Sequence, residues 1–218
     1  MFLNEALWIR DALALHAPRR GGTALDVGSS TERFRCLEQP HIDYFVLRPL
    51  RDRGMRVVHL DGKHDRGVDI VCDLAADSAG GKKPRVPVSD VLLCTNLLAH
   101  VTDRARVLAR IVEWTRPGGL LLVTVPHRFR VHPDPIDTRY RPTNTALEAL
   151  FDPSRFRVEA SALIEGEEEP EVDAPLWKRV LNLPFRVVGG APPFPYRVTK
   201  NLVACVAIRK LGRAESRA

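Results

Sequence analysis

Three acids stand at the ends of apolar runs, where a carboxylate can meet a ligand: Asp26 in Thr23-Ala24-Leu25-Asp26-Val27, Asp61 after Val57-Val58-His59-Leu60, and Asp73 after Ile70-Val71-Cys72. Asp26 precedes a turn at Gly28-Ser29 and suits a ligand with a positive amino group, whereas Asp61 is placed to accept hydrogen bonds from ribose hydroxyls. A fourth apolar run, Val91-Leu92-Leu93-Cys94, leads into Asn96, Leu97 and His100. A further set, His127, His132, Asp134, Asp137, Arg139 and Tyr140, falls in a long connection rich in prolines between Pro126 and Pro142, and such connections are commonly functional. His100 and His127 are the candidate general bases, because imidazole exchanges protons near neutrality. Two histidines and two carboxylates between His127 and Asp137 raise the question of a metal. The histidines lack the i, i+4 placement of a helical ligand pair, and no metal is assigned.

These residues need strands to end where they stand. The pattern predicts an N-terminal helix over Phe2 to Leu15, with Asn4 as N-cap and Leu3 and Trp8 as a hydrophobic staple. Strands follow at Thr23 to Val27, Arg56 to Asp61, Val68 to Asp73, Val88 to Thr95, Leu120 to Val125, Phe156 to Ile164 and Asn201 to Ile208. Helical patterns lie between them. One carries Phe34 and Leu37; a second runs from Ile42 to Arg53, kinked or ended by Pro49 and capped by Gly54. A third is capped by Thr102 or Asp103, has an apolar face of Leu108, Ile111, Val112 and Thr115, and is stopped by Pro117-Gly118-Gly119. A fourth spans Asn144 to Phe151. The acids Glu167, Glu168, Glu169, Glu171 and Asp173 read as a turn, and Leu176 to Val188 as an amphipathic element packed on the sheet; a lid, a membrane contact or a partner-subunit contact are its other readings. Alternating strands and helices give a doubly wound α/β fold with a mostly parallel sheet, whose ligands bind beyond the carboxyl ends of the strands.

The 218 residues fit one domain, 1–218, with residues 1–20 as an N-terminal helix and 165–197 as an insertion between the last two strands. No apolar run reaches the roughly 20 residues that span a bilayer, and Glu5, Arg10 and Asp11 interrupt the first segment as a signal peptide. The four cysteines, Cys36, Cys72, Cys94 and Cys205, lack metal-ligand spacing and read as reduced thiols of a cytoplasmic protein. The net charge of +6 comes from scattered arginines, which reads first as a solvated surface and second as a nucleic-acid footprint. The turn after Val27 lacks the G-x-G-x-x-G of a dinucleotide site, since Ser30 and Glu32 stand in it; a carboxylate there opposes a pyrophosphate.

The series Asp90-Val91-Leu92-Leu93-Cys94-Thr95-Asn96-Leu97-Leu98-Ala99-His100-Val101, followed by Arg116-Pro117-Gly118-Gly119-Leu120-Leu121-Leu122-Val123-Thr124-Val125-Pro126, resembles the middle of class I S-adenosylmethionine-dependent methyltransferases of the small-molecule type. The resemblance covers about residues 23–165. It implies a seven-stranded sheet of order 3-2-1-4-5-7-6 with strand seven antiparallel, and S-adenosyl-L-methionine as cofactor. It places Asp26, Gly28 and Ser29 at the methionine part, Asp61 at the ribose, and Asp73 with Leu74 at the adenine. Asn96, Leu97 and His100 inherit positions between cofactor and substrate. The stretch Asp134-Pro135-Ile136-Asp137-Thr138-Arg139-Tyr140-Arg141-Pro142 is similar to a substrate-side wall in which Asp134, Asp137, Arg139 and Tyr140 brace one another. The implied activity is methyl transfer to oxygen, nitrogen or carbon of a small molecule. An RNA methyltransferase is the alternative that the basic balance supports. A non-catalytic binding or scaffold protein is the one supported by Ser30 and Glu32, where the family has glycines, and by Ala99, where it often has glutamate. A homodimer is compatible with either. Asp26 and Asp61 also stand farther apart than the usual spacing of about 20 residues.

Overall fold

In the computed structural model, which describes residues 1–74, 84–170 and 198–212, seven strands form one sheet of order β3-β2-β1-β4-β5-β7-β6. The strands are β1 (Thr23–Val27), β2 (Arg56–Asp61), β3 (Ile70–Val71), β4 (Ser89–Thr95), β5 (Thr115–Arg128), β6 (Phe156–Pro170) and β7 (Val198–Lys210). Strands β1 to β5 pair in parallel, and β7 runs antiparallel to both β5 and β6. Order and direction are those the resemblance implied.

The central strands are apolar along their whole length because both faces of the sheet are covered. Leu25, Val27, Leu92, Cys94, Leu121 and Val123 turn to one face, with Val107 and Ile111 of helix α4 (Arg104–Trp114) packed over them. Ala24, Val91, Leu93, Leu120 and Leu122 turn to the other, under Ala6, Ile9 and Leu13 of helix α1 (Leu3–His16). Asp103 caps α4, its carboxylate accepting the Arg106 N–H at 3.0 Å. The buried face of α4 is set by Val107 and Ile111; Leu108 and Val112 lie at its margin, and Thr115 already belongs to β5.

Several elements depart from the sequence reading. Helix α1 begins two residues earlier, with Phe2 as N-cap and the Glu5 carboxylate accepting the Phe2 N–H; Asn4 instead donates to the Glu165 carbonyl. Leu3 is exposed and Trp8 half-buried. Residues 34–52 form a chain of short helical turns: a π-turn at Phe34–Glu38, α2 (Pro40–Ile42), a second π-turn at Asp43–Leu47, and α3 (Arg48–Asp52). The widened turn ends just before Pro49, which sits in the first turn of α3 where an N–H is not required, so the proline does not end the helical run. Leu37 is exposed. Strand β3 has only two residues, whereas β5, β6 and β7 run longer than their apolar cores. Glu167, Glu168 and Glu169 lie in β6, not in a turn, because pairing with β7 continues to Pro170. Helix α5 (Asn144–Glu148) is a short turn capped by Thr143. Leu176 to Val188 and most of the predicted insertion lie outside the described residues. Among the described residues no helix is long and apolar enough to cross a membrane, and the four cysteines are free thiols.

The entry into β1 is pinned by Asp90, whose carboxylate accepts the Thr23 N–H at 2.8 Å and pairs with Arg116. Gly22, at φ +98°, passes so close that a Cβ there would sit 2.5 Å from Asp90 Oδ2. Gly22→Ala therefore meets both the left-handed penalty of about 1–2 kcal/mol and a clash, and should lower stability by about 2–3 kcal/mol in total. Gly21→Ala, with open space around it, should lose only the backbone part, about 1–2 kcal/mol. Thermal melts of the two variants against the parent read the difference.

Candidate functional site

The turn after β1 is the first wall of a cleft of about 610 Å³ at the carboxyl ends of β1 and β4. Gly28 takes φ +73°, and Leu97 lies so close that a Cβ would meet its Cδ1 at 2.9 Å. The Gly28 and Ser29 N–H groups both donate to the Leu60 carbonyl. Ser30 also adopts a left-handed conformation, φ +56°, one that most residues avoid. Two side chains hold it there. Asp61 accepts the Ser30 N–H at 2.7 Å, and Arg35 donates to the Ser29 carbonyl at 3.0 Å, the Ser30 carbonyl at 2.5 Å and the Gly67 carbonyl at 2.7 Å. Arg35 is buried, so its charge is satisfied by backbone dipoles in place of water. Glu32 does not enter the cleft; its carboxylate pairs with Arg66 at 2.7 Å.

Asp26 is 5% exposed, lines the cleft, and accepts from Nδ1 of His59, its register partner on β2, at 3.0 Å. Across the cleft, Asn96 (φ +57°) ends β4 with its N–H on the Thr124 carbonyl. Its amide donates to Glu5 Oε1 at 2.8 Å, and the Thr124 hydroxyl donates to the same oxygen at 2.6 Å. Glu5 is fully buried and forms part of the wall, so helix α1 brings a carboxylate to the cleft. Burial, with the Glu5 charge adding to it, pushes the Cys205 thiol far above its usual range; burial chiefly, and then the Asp26 charge, pushes the Cys94 thiol up to about 12, so neither serves as a nucleophile.

The third wall is the connection after β5. Asp137 is bound on both oxygens by the Arg141 guanidinium, at 2.6 and 3.1 Å, and accepts the His132 and Arg139 N–H groups at 2.8 Å each. Its side chain is 1% exposed. The hydrogen bonds from Arg141 foremost, with the backbone donors behind them, outweigh burial and hold its carboxyl far below the usual range. The loop is thus braced by Asp137 and Arg141, with Asp134 reaching Lys63 at 3.6 Å. Arg139 is exposed and Tyr140 lies under the Arg104 guanidinium at 4.4 Å, so these two stand behind the wall.

The cleft therefore gathers Asp26, Gly28, Ser29, Asn96, Leu97, His100, Asp134 and Asp137. It does not gather Asp61, which shapes the turn from behind, or His127, whose Nδ1 meets the Arg141 and Pro142 carbonyls. Asp73 is exposed, and Leu74 is buried in the core; the Arg110 guanidinium binds both their carbonyls. Glu5, Arg35, His59, Phe129 and Arg141 were not foreseen as site residues. For Arg141 its nearness to Asp137 in the same loop was a usable signal; an arginine buried under a turn leaves none. Among the described residues no group of three His, Cys, Asp or Glu side chains converges as a metal cage.

The chain has the class I methyltransferase fold. Similar solved structures include a candidate methyltransferase from Bacillus halodurans at 11% identity, covering 94% of this chain and 99% of that one with a TM-score of 0.57. A chain from the complex of the Haloferax volcanii Trm112 methyltransferase activator with a candidate methyltransferase matches at 17% identity, covering 96% and 92%, TM-score 0.55. Coclaurine N-methyltransferase bound to N-methylheliamine and S-adenosylhomocysteine matches at 15% identity, covering 94% and 72%, TM-score 0.53. No protein-family model matches the sequence, and no curated protein does.

Two variants test the walls. Arg35→Ala strips three carbonyls of their donor and should cost about 2–4 kcal/mol in a denaturant melt; a loss below 1 kcal/mol means water substitutes freely. Asp137 should remain ionised at pH 3 by carboxyl-carbon NMR, where an ordinary aspartate, with its pKa of about 3.9, is mostly protonated. Because its folded pKa is depressed, its stabilisation is complete above about pH 4 and is lost only as the pH falls through the lower folded value. Asp137→Asn should remove about 1.5–3 kcal/mol from the loop and speed tryptic cleavage after Arg130 and Arg139.

Proposed function

We propose that the chain transfers a methyl group from S-adenosyl-L-methionine to a small-molecule acceptor. The observation that carries this reading is the Gly28-Ser29-Ser30 turn opening into the cleft opposite Asn96 and Leu97, on a fold shared with proteins of this class. Coclaurine N-methyltransferase, which shares that fold, has been solved with S-adenosylhomocysteine bound. The residues fit such a group on two counts. The bare Cα of Gly28 permits close approach where a Cβ would strike Leu97, and the buried Asp26 carboxylate meets the cleft as a counter-charge for an amino group.

When bound, the cofactor supplies an electrophilic methyl on a sulfonium. Asp26, Ser29 and Asn96 would hold its amino-acid end. Asp61 would act on it through the turn that it fixes, not by contact. The chain's main contribution is alignment of donor and acceptor in a cleft whose walls are braced by Arg35, Glu5 and Asp137. A base is needed only where the acceptor must lose a proton, and of His100 and His127 it is His100 that lines the cleft. Its Nδ1 lies 2.7 Å from the Ile136 carbonyl. A carbonyl only accepts, so Nδ1 carries the hydrogen and Nε2 of the neutral ring is the proton acceptor. His127, tied to two carbonyls outside the cleft, is set aside as the base.

Isothermal calorimetry with S-adenosylhomocysteine should show saturable binding below about 1 mM. Asp26→Ala should weaken it by about tenfold or more, equivalent to about 1.4 kcal/mol, and Gly28→Val should abolish it while the protein stays folded by circular dichroism. Absence of binding by the parent at millimolar ligand sinks the reading; unchanged affinity in Asp26→Ala shows that the turn holds the ligand another way.

A further inference from the structure

Four aromatic rings run in an unbroken row along one side of the cleft, from the start of α1 to the base. Phe2 meets Phe129 edge-on at 5.7 Å between centroids, Phe129 meets His132 at 6.0 Å, and His132 meets His100 at 6.2 Å, with interplanar angles of 75°, 79° and 82°. All four residues line the cleft. The row is assembled from three separate parts of the chain: Phe2 at the cap of α1, His100 after β4, and Phe129 and His132 after β5. Neither glycine turn nor cofactor acid belongs to it, so it marks the acceptor's side. Edge-to-face rings present alternating positive edges and negative faces, a surface on which another flat ring packs better than a saturated one of the same size.

The row ends on His100, and this constrains the acceptor's reactive group. An amine reacts as its free base and needs no proton acceptor at the moment of transfer. An aliphatic alcohol is a far weaker acid than a phenol, so an imidazole takes its proton only as the new bond forms and with a larger mismatch in pKa. A phenol, with a pKa of about 10 like that of tyrosine, lies within reach of a positioned imidazole. The carboxylates of the cleft are engaged elsewhere, Asp137 by Arg141 and Glu5 by Asn96, Thr124 and Phe2.

We propose that the acceptor is an aromatic hydroxyl compound, seated against the Phe2, Phe129, His132 and His100 rings and methylated on its oxygen. This rests on the methyl-transfer reading above. The phenol O–H proton passes to His100 Nε2, the oxygen lone pair forms the O–CH3 bond, and the methyl–sulfur bond breaks with its electron pair returning to sulfur. The products are an aryl methyl ether, S-adenosylhomocysteine and one proton released from the imidazolium to water.

The test uses a matched pair of probes, 2-naphthol and its fully saturated analogue decahydro-2-naphthol, titrated into the full chain with and without saturating S-adenosylhomocysteine. Methyl transfer from S-adenosyl-L-methionine is read in parallel by mass spectrometry. The expected result is saturable 2-naphthol binding at least about tenfold tighter than that of the saturated analogue, with most of the preference lost in Phe129→Ala. His132→Leu, on an exposed stretch, keeps the test open if Phe129→Ala melts. His100→Gln lacks both the base and one ring of the row, so its methyl transfer is read at saturating 2-naphthol. The variant should lose methyl transfer at pH 7 and recover it as the pH approaches about 10, where the phenol ionises unaided. Equal binding of the two probes, no binding of 2-naphthol to protein that binds S-adenosylhomocysteine, or a His100→Gln profile matching the parent overturns the proposal. If S-adenosylhomocysteine does not bind while the free protein keeps its preference for 2-naphthol, the methyl-transfer reading falls and the aromatic-hydroxyl site stands as a binding site.

Discussion

The cleft depends on the clamp around Ser30. A strand that ends in a turn and must leave room for a ligand needs residues with positive φ, and glycine supplies them at no steric cost. Here only Gly28 is a glycine, and Ser30 is forced into the same region. The cost is offset by Asp61 on its N–H and Arg35 on its carbonyl, and Arg35 extends the clamp to Gly67 on the next connection. One buried cation thereby sets the turn after β1 against the loop after β2. The acid at the end of β2 belongs to the architecture of the turn, and the same clamp turns Glu32 outward to Arg66.

A second constraint ties the N-terminal helix to the floor. Glu5 gathers the Asn96 amide, the Thr124 hydroxyl and the Phe2 N–H, so the position of α1, the conformation after β4 and the end of β5 are set by one carboxylate. Burying it is tolerable because three donors replace its water. Phe2 is then delivered to the head of the aromatic row, and the helix that covers one face of the sheet also supplies part of the cleft.

The architecture was legible because its signal is coarse. Continuous apolar runs such as Val91-Leu92-Leu93-Cys94 report burial on both faces, and glycines and prolines between them report turns. Strand ends were less legible: Glu167, Glu168 and Glu169 look like a turn by polarity, but β6 is an edge strand whose pairing with β7 continues to Pro170. Of the cleft, the residues directly after strands could be read from the sheet alone, since topology fixes where strand ends point. Arg35, Glu5 and His59 were not. Arg35 reaches Gly67, His59 reaches Asp26 and Glu5 reaches Thr124 across 32 to 119 residues of sequence, through contacts that exist only once the sheet has formed. The bracing expected of Arg139 and Tyr140 failed for a related reason: Arg139 takes φ +57°, which turns its side chain out and brings Arg141 onto the carboxylate.

The same accounting assigns the proton chemistry. A carboxylate serves as a base with a lone pair to spare and a pKa near the working range. Asp137 has four donors on its two oxygens and is held ionised far below neutrality, which makes it a poor proton acceptor. Glu5 has three donors, two of them on one oxygen, and Asp26 is paired with His59. These acids hold structure or counter a positive ligand. The absence of an acid at Ala99 therefore removes little under the reading proposed above: His41, His100 and His132 also line the cleft, and the Ile136 carbonyl holds the hydrogen on Nδ1 of His100, which leaves its Nε2 as an acceptor. Loop position and ring orientation are thus coupled: the contact that places Ile136 beside His100 also fixes which ring nitrogen carries the hydrogen.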